Sequence, residues 1–184
     1  RRLRFERRAE TFTISADPSF ASLWLAPRLA MVRPALGRLE VRIVASVGLD
    51  AMAEEGVDLA ISYRKGAASD IAALDLFTER VIPACAPALV EGHVGPDRAE
   101  MLDRMPLLHI DPTMGDDVYP TWRGWFTAAT RQRKDIDQGP RFGLTIVAAQ
   151  AAIAGMGALL ASELVLRRHL DAGHLVEIAR EIPA

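Results

Sequence analysis

The first 63 residues alternate between extended and helical patterns, and that alternation constrains the fold more than any other feature of the chain. Thr11-Phe12-Thr13-Ile14-Ser15 is a short β-rich run, Ala16-Asp17-Pro18-Ser19 reads as a turn, and residues 20–32 carry apolar side chains at helical spacing. Asp17 suits an N-cap because its carboxylate can accept the orphan amides of a first turn. Pro18 suits the first helical position, where no N–H is required. The helix is predicted to stop near Pro34. Residues 39–44 alternate apolar and polar with period two, as a strand with one wet face does. Residues 49–55 are predicted as a short helix closed by Gly56, and residues 57–63 as a buried strand. A β-α-β-α-β series favours a parallel sheet with right-handed crossovers, whose ligand site lies outside the carboxyl ends of the strands.

The second half begins with an extended run over residues 76–85, in which Pro83, with Pro87 just beyond, predicts a poor interior strand. An amphipathic piece at 97–105 and a strand at 107–110 follow, then a helix with Trp122, Trp125 and Phe126 on one face. Further on, Arg141-Phe142 is extended, residues 145–154 form a helix ended by Gly155, and residues 158–161 form a strand. A helix at 163–170 and a strand at 175–178 close the pattern. Two β-α series separated by a proline-rich crossing at 82–87 predict two small α/β lobes with ligand in the cleft between them.

Composition removes several function classes. Of 184 residues half are hydrophobic, and 22 Lys and Arg face 24 Asp and Glu, a balance that suits a soluble globular protein and not a disordered one. Residues 1–8 hold five Arg and one Glu, so the formal charge of −2 leaves −6 for the rest, which argues against a nucleic-acid surface on the body itself. The basic stub reads as a solvated linker end. The longest apolar stretch, residues 146–160, is broken by Gln150, Gly155 and Gly157 and falls short of a membrane span. A single cysteine, Cys85, excludes an internal disulfide, points to a reducing compartment, and reads as a small buried hydrophobe.

Enzymatic patterns are poor. The chain has no Gly-x-Ser-x-Gly elbow and no Gly-Lys-Ser/Thr phosphate loop, and Gly155-Met156-Gly157 lacks a third glycine. Histidines stand at 93, 109, 169 and 174, with no pair three or four apart; His169 and His174 are expected on different faces, so no metal site and no cofactor is predicted. Asp116-Asp117 reads as a solvated turn, and Trp122 with Trp125 as core anchors.

Several ordered strings resemble the effector-binding domain of LysR-type transcriptional regulators, in the branch similar to the glycine-cleavage activator. They are Thr13-Ile14-Ser15-Ala16-Asp17-Pro18-Ser19-Phe20-Ala21 with Trp24-Leu25-Ala26-Pro27-Arg28-Leu29, Glu55-Gly56-Val57-Asp58-Leu59-Ala60-Ile61-Ser62-Tyr63, and Val81-Ile82-Pro83-Ala84-Cys85-Ala86-Pro87. Leu107-Leu108-His109, Gly139-Pro140-Arg141-Phe142 and Ala148-Ala149-Gln150 through Gly157 continue the order. The resemblance implies a periplasmic-binding-protein type 2 fold: two Rossmann-like α/β lobes joined by two crossover segments, with residues 10–84 and 161–184 in lobe I and 85–160 in lobe II. Residues 1–9 would be a linker remnant after a winged helix-turn-helix domain absent from this chain. It implies a cytoplasmic homodimer, tetrameric in the full-length protein, that meets promoter DNA through that missing domain. An exported solute-binding protein of the same fold is the alternative, and an enzyme of related deaminase-like folds a remoter one.

Candidate ligand contacts follow from strand ends and from the resemblance together. Ser15, Ala16, Asp17 and Ser19 surround a helix N-terminus able to receive an anion, unless Asp17 caps that helix and favours an amine or amino acid instead. Ser62 and Tyr63 end a strand, and Pro83 lies in the crossing. From the second lobe, His109 and Asp111 end a strand, and Gly143 and Thr145 open a helix; His109 also reads as an ordinary satisfied structural group. The expected effector is an amino acid or small carboxylate.

Overall fold

The computed structural model describes residues 11–46, 56–63, 72–92, 98–111 and 120–179. The basic stub, the helix expected at 49–55, Asp116-Asp117 and His93 lie outside the described residues. The chain divides into two compact units, residues 1–63 and 64–184.

In the first unit β1 (Thr11–Ala16) is central, paired in parallel with β2 (Glu40–Ala45) on one side and β3 (Leu59–Ile61) on the other. Its residues Thr13 to Ala16 are all buried, the polar ones included. β2 keeps the expected alternation of exposed and half-buried positions. β3 departs from the buried strand expected over 57–63. It is three residues long, and Leu59 is 43% exposed. Among the described residues β3 pairs on one side only, so it lies at an edge.

Asp17 caps the helical segment as its chemistry dictates, Oδ1 accepting from Ser19 N at 2.8 Å and Phe20 N at 3.0 Å. The segment runs on as α1 (Pro18–Phe20), a π-helical turn at Ala21–Leu25, and α2 (Ala26–Leu36), which passes through Pro34 and ends two residues later. Pro27 accounts for the π turn. A proline ring crowds the carbonyl four residues back, and widening the helix so that Ala26 N–H donates to Ala21 O relieves that crowding. Only the first half of the segment anchors it, through buried Ser19, Phe20, Ala21 and Leu25; α2 buries none of its residues.

The second unit is a five-stranded mixed sheet in the order β6-β5-β7-β4-β8, made of β4 (Val81–Cys85), β5 (Leu107–Ile110), β6 (Arg141–Phe142), β7 (Ala158–Ser162) and β8 (Val176–Glu177). β5 runs parallel to β6 and β7, whereas β4 runs antiparallel to both β7 and β8. β7, α5 (Glu163–Asp171) and β8 all belong to this unit, while the sequence reading sends residues 161–184 to the lobe of residues 10–84. β4 is also interior, contrary to the expectation from its proline. Residue 83 points its carbonyl toward β8, accepting from Ile178 N at 2.9 Å. A residue's N and O share one side of a strand, so the missing N–H does not subtract from the β7 ladder.

Alternate residues of each strand feed two cores. Leu107, Leu160 and Cys85 join Leu102 and the aromatic face of α3 (Trp122–Ala128), where Trp122, Trp125 and Phe126 pack edge to face. Leu108, Leu159, Ile82 and Ala84 join Leu166 of α5 and the alanines of α4 (Thr145–Ile153). Burial pushes the Cys85 thiol up to about 11, so it stays protonated and behaves as a small hydrophobe.

An ion-pair clasp ties three elements of this sheet together. Arg80 Nε donates to Glu163 at 2.6 Å and its terminal nitrogens to Glu177 at 3.1 and 3.2 Å, while Arg80 O accepts from Glu163 N. The hydrogen bond from Arg80 holds the Glu163 carboxyl below its ordinary value of 4.5. Glu163 therefore binds its proton less readily folded than unfolded, and it contributes stability above pH about 4.5 that fades as pH falls through and below that value. Glu163→Gln is expected to lower stability by about 1–2 kcal/mol at pH 7. Thermal midpoints followed from pH 7 to 3 should show the gap from wild type closing in acid; a gap independent of pH would contradict the assignment.

Candidate functional site

The carboxyl ends of the parallel strands gather the candidate residues of the first unit. Ala16 lies opposite Ala45 on one side and Ile61 on the other, so the turn 17–19 and the pair Ser62-Tyr63 leave the sheet at the same end. Ser15, Ala16 and Ser19 are buried, Tyr63 is half-buried, and Ser62 is exposed. Asp17 resolves the choice left open by its sequence: it caps its helix. Its carboxylate already holds the amides of Ser19 and Phe20, so an anion finds them taken and meets a negative charge beside them.

In the second unit the ends of β5 and β6 bring another group together. His109 and Ile110 lie opposite Arg141 and Phe142, and Asp111 N–H donates to Phe142 O at 2.9 Å. Gly143 follows, exposed, and Thr145 opens α4 with only 9% of its surface exposed. Leu144 supplies no side-chain cap, and the first turn of α4 holds no acidic residue, so this helix start keeps its positive end uncompensated by charge from its own first turn. His109 Nε2 lies 3.0 Å from Gln138 O, the ordinary structural arrangement. Pro83 stands apart from this group. It is buried in β4 opposite Leu160, two strands away from β5 in the sheet.

Sequence reasoning missed the charged rim of this group. Arg141 donates to Asp111 at 2.7 Å and to Asp137 O at 2.9 Å, and Arg123 pairs with Asp137. Arg141 and Asp111 are 48% and 55% exposed, so their pair is worth roughly 0–1 kcal/mol and can exchange partners readily. The signal was the Gly139-Pro140-Arg141 string, which reads as part of the resemblance and as the start of an extended piece, with no role given to its charge. Among the described residues no three His, Cys, Asp or Glu side chains gather as metal ligands, and no helix is long and apolar enough to cross a membrane. His169 and His174, expected to point from different faces, are in fact neighbours, with ring centroids 6.0 Å apart.

Comparison with known proteins places this geometry. The model of the LysR substrate binding domain matches residues 6–183. The glycine cleavage system transcriptional activator of Escherichia coli K12 is 31% identical over 176 residues, covering 96% of this chain and 56% of that protein. The regulator PerR of the same organism is 31% identical over 159 residues, covering 86% of this chain and 50% of that protein. The chain thus spans about half the length of these curated relatives. Among solved structures, the AmpR effector binding domain from Citrobacter freundii superposes with a TM-score of 0.74 at 24% identity, covering 94% of this chain and 83% of that one. The AmpR effector domain of Pseudomonas aeruginosa gives 0.73 at 26% identity, covering 94% and 81%. Matched by one family's model nearly from end to end, and similar along 96% of its length to a regulator of transcription, this chain belongs to the LysR substrate-binding domain family.

Proposed function

We propose that this chain is the sensor of a cytoplasmic LysR-type regulator, taking a small polar effector and biasing a DNA-binding domain elsewhere in the protein. The observation that supports it is a contrast of charge at the two strand-end groups. The first presents the carboxylate of Asp17 with the hydroxyl-bearing Ser15, Ser19, Ser62 and Tyr63. The second presents the uncompensated start of α4 with Thr145 and Gly143. The Asp17 carboxylate suits an ammonium group, which favours an amino acid over a simple carboxylate. The effector acts by preferring one arrangement of the protein, and a tenfold preference shifts that balance by about 1.4 kcal/mol. Homodimerisation of this domain, with tetramers and promoter binding in the full-length protein, belongs to the same proposal. The half-wet strand β2 beside α2, whose Met31 is 78% exposed, is the surface that favours a dimer.

Titration calorimetry of the purified protein against a panel of amino acids and small carboxylates tests the reading, with light scattering on the same samples reporting the dimer. Ser15→Ala and Thr145→Val are each expected to weaken the tightest ligand about tenfold or more while leaving the thermal midpoint near wild type. Wild-type affinity in both variants would overturn the site.

A further inference from the structure

At the end of α5 the chain reverses through Gly173, whose φ of +71° few other residues would accept. The reversal is held by its own backbone: the amides of His174 and Leu175 donate to His169 O at 2.8 and 3.2 Å. It carries the His174 ring back over the helix end, where the two imidazoles stand 6.0 Å apart between centroids with planes tilted by 39°. His174 is exposed, but Nε2 of His169 is buried and has no hydrogen-bond partner among the described residues. A buried ring nitrogen left unpaired is a cost that a native structure normally offsets with a water or an ion.

The separation suits an ion. With a metal–nitrogen bond of ~2.0 Å, a shared ion sits about 3.2 Å from each ring centroid, so two rings bound to one metal stand from about 4.5 Å apart at a right angle to about 6.4 Å in line, a range that includes the separation here. We propose that His169 and His174 form a two-imidazole chelate for a divalent transition cation of borderline softness, copper(II), nickel(II) or zinc(II), with water in its remaining positions. Imidazole is a ligand these ions favour, and a turn stapled by hydrogen bonds presents both rings without further ordering of the backbone. No third His, Cys, Asp or Glu joins them among the described residues, so water reaching the ion from the exposed His174 side fills its remaining positions. Such a chelate fastens the end of α5 to the approach of β8.

The test is calorimetric titration of the full-length, untagged protein with nickel(II), copper(II) or zinc(II) chloride in a non-coordinating buffer, repeated on His174→Gln and His169→Gln. Wild type should take up one equivalent of at least one ion, and each substitution should weaken it tenfold or more. Saturating metal should also raise the thermal midpoint of wild type and not that of His174→Gln. Because His174 is exposed, that variant keeps the fold even if His169→Gln does not. Undiminished binding by His174→Gln, or no uptake by wild type at millimolar ion, would overturn the proposal.

Discussion

Gly139→Ala is expected to destabilise the second unit by about 3–5 kcal/mol, a large part of the stability a domain of this size possesses. Two costs combine. Gly139 has φ +131°, a conformation almost confined to glycine, and a Cβ built there would lie 2.0 Å from Leu107 O. That carbonyl belongs to β5, which is fixed between β6 and β7, so it cannot retreat without opening a ladder. Gly143→Ala, four residues on, is the control: a Cβ there meets nothing within 4 Å, and the change should stay within about 0.5 kcal/mol. Urea denaturation of both variants checks the difference. Equal midpoints for Gly139→Ala and wild type would mean that the approach of this loop to β5 is not as drawn.

Phe126→Ala should cost a similar amount, about 3–5 kcal/mol. The ring is 1% exposed, lies 5.3 Å from Trp125 and 6.2 Å from Trp122 between centroids, and closes the aromatic core on one face of the sheet. Strands and 3-10 turns hemmed in by backbone bonds leave that face little room to collapse into the void. Trp122→Phe is the informative companion. Trp122 Nε1 donates to Leu108 O at 2.9 Å inside the core, so the phenylalanine keeps most of the packing and loses one buried hydrogen bond, at about 1 kcal/mol. Urea midpoints at unchanged slope should rank Phe126→Ala below Trp122→Phe and both below wild type; the reverse order would place the core elsewhere.

What the chain revealed before folding was what local chemistry decides. The cap at Asp17, the wet alternation of β2, the aromatic face of α3 and the helix ending at Gly155 are each set by residues within one or two turns of one another. The misreadings share another cause. β3 read as buried because its residues are apolar, yet exposure depends on how many strands flank it. Pro83 read as a poor interior residue because proline avoids ladders, yet its side of the strand faces β8, which takes only the carbonyl of residue 83 and never needs the missing N–H. His169 and His174 read as divergent because a spacing of five matches neither neighbouring position on a helix, yet the chain reverses at Gly173 and brings the second ring back. The candidate site divided in the same way. Turn residues at the strand ends were legible, whereas the Arg141 rim and the Arg80 clasp join residues 30 to 97 positions apart, which no window on the sequence spans.

The position of β4 has a consequence for the order in which the molecule is made. Ala84 pairs with Leu159 and Val81 with Ser162, so this strand leaves the ribosome some 75 residues ahead of its first partner, whereas β1 needs only the residues up to 45 to find β2. At synthesis rates of about 5–20 residues per second, a nascent Val-Ile-Pro-Ala-Cys segment waits for several seconds with both edges bare. Such a segment invites pairing with a neighbouring chain, and a proline in its middle is the residue that most directly denies it. Pro83, nearly idle in the finished sheet, is thus a guard for the polypeptide while it is still being translated.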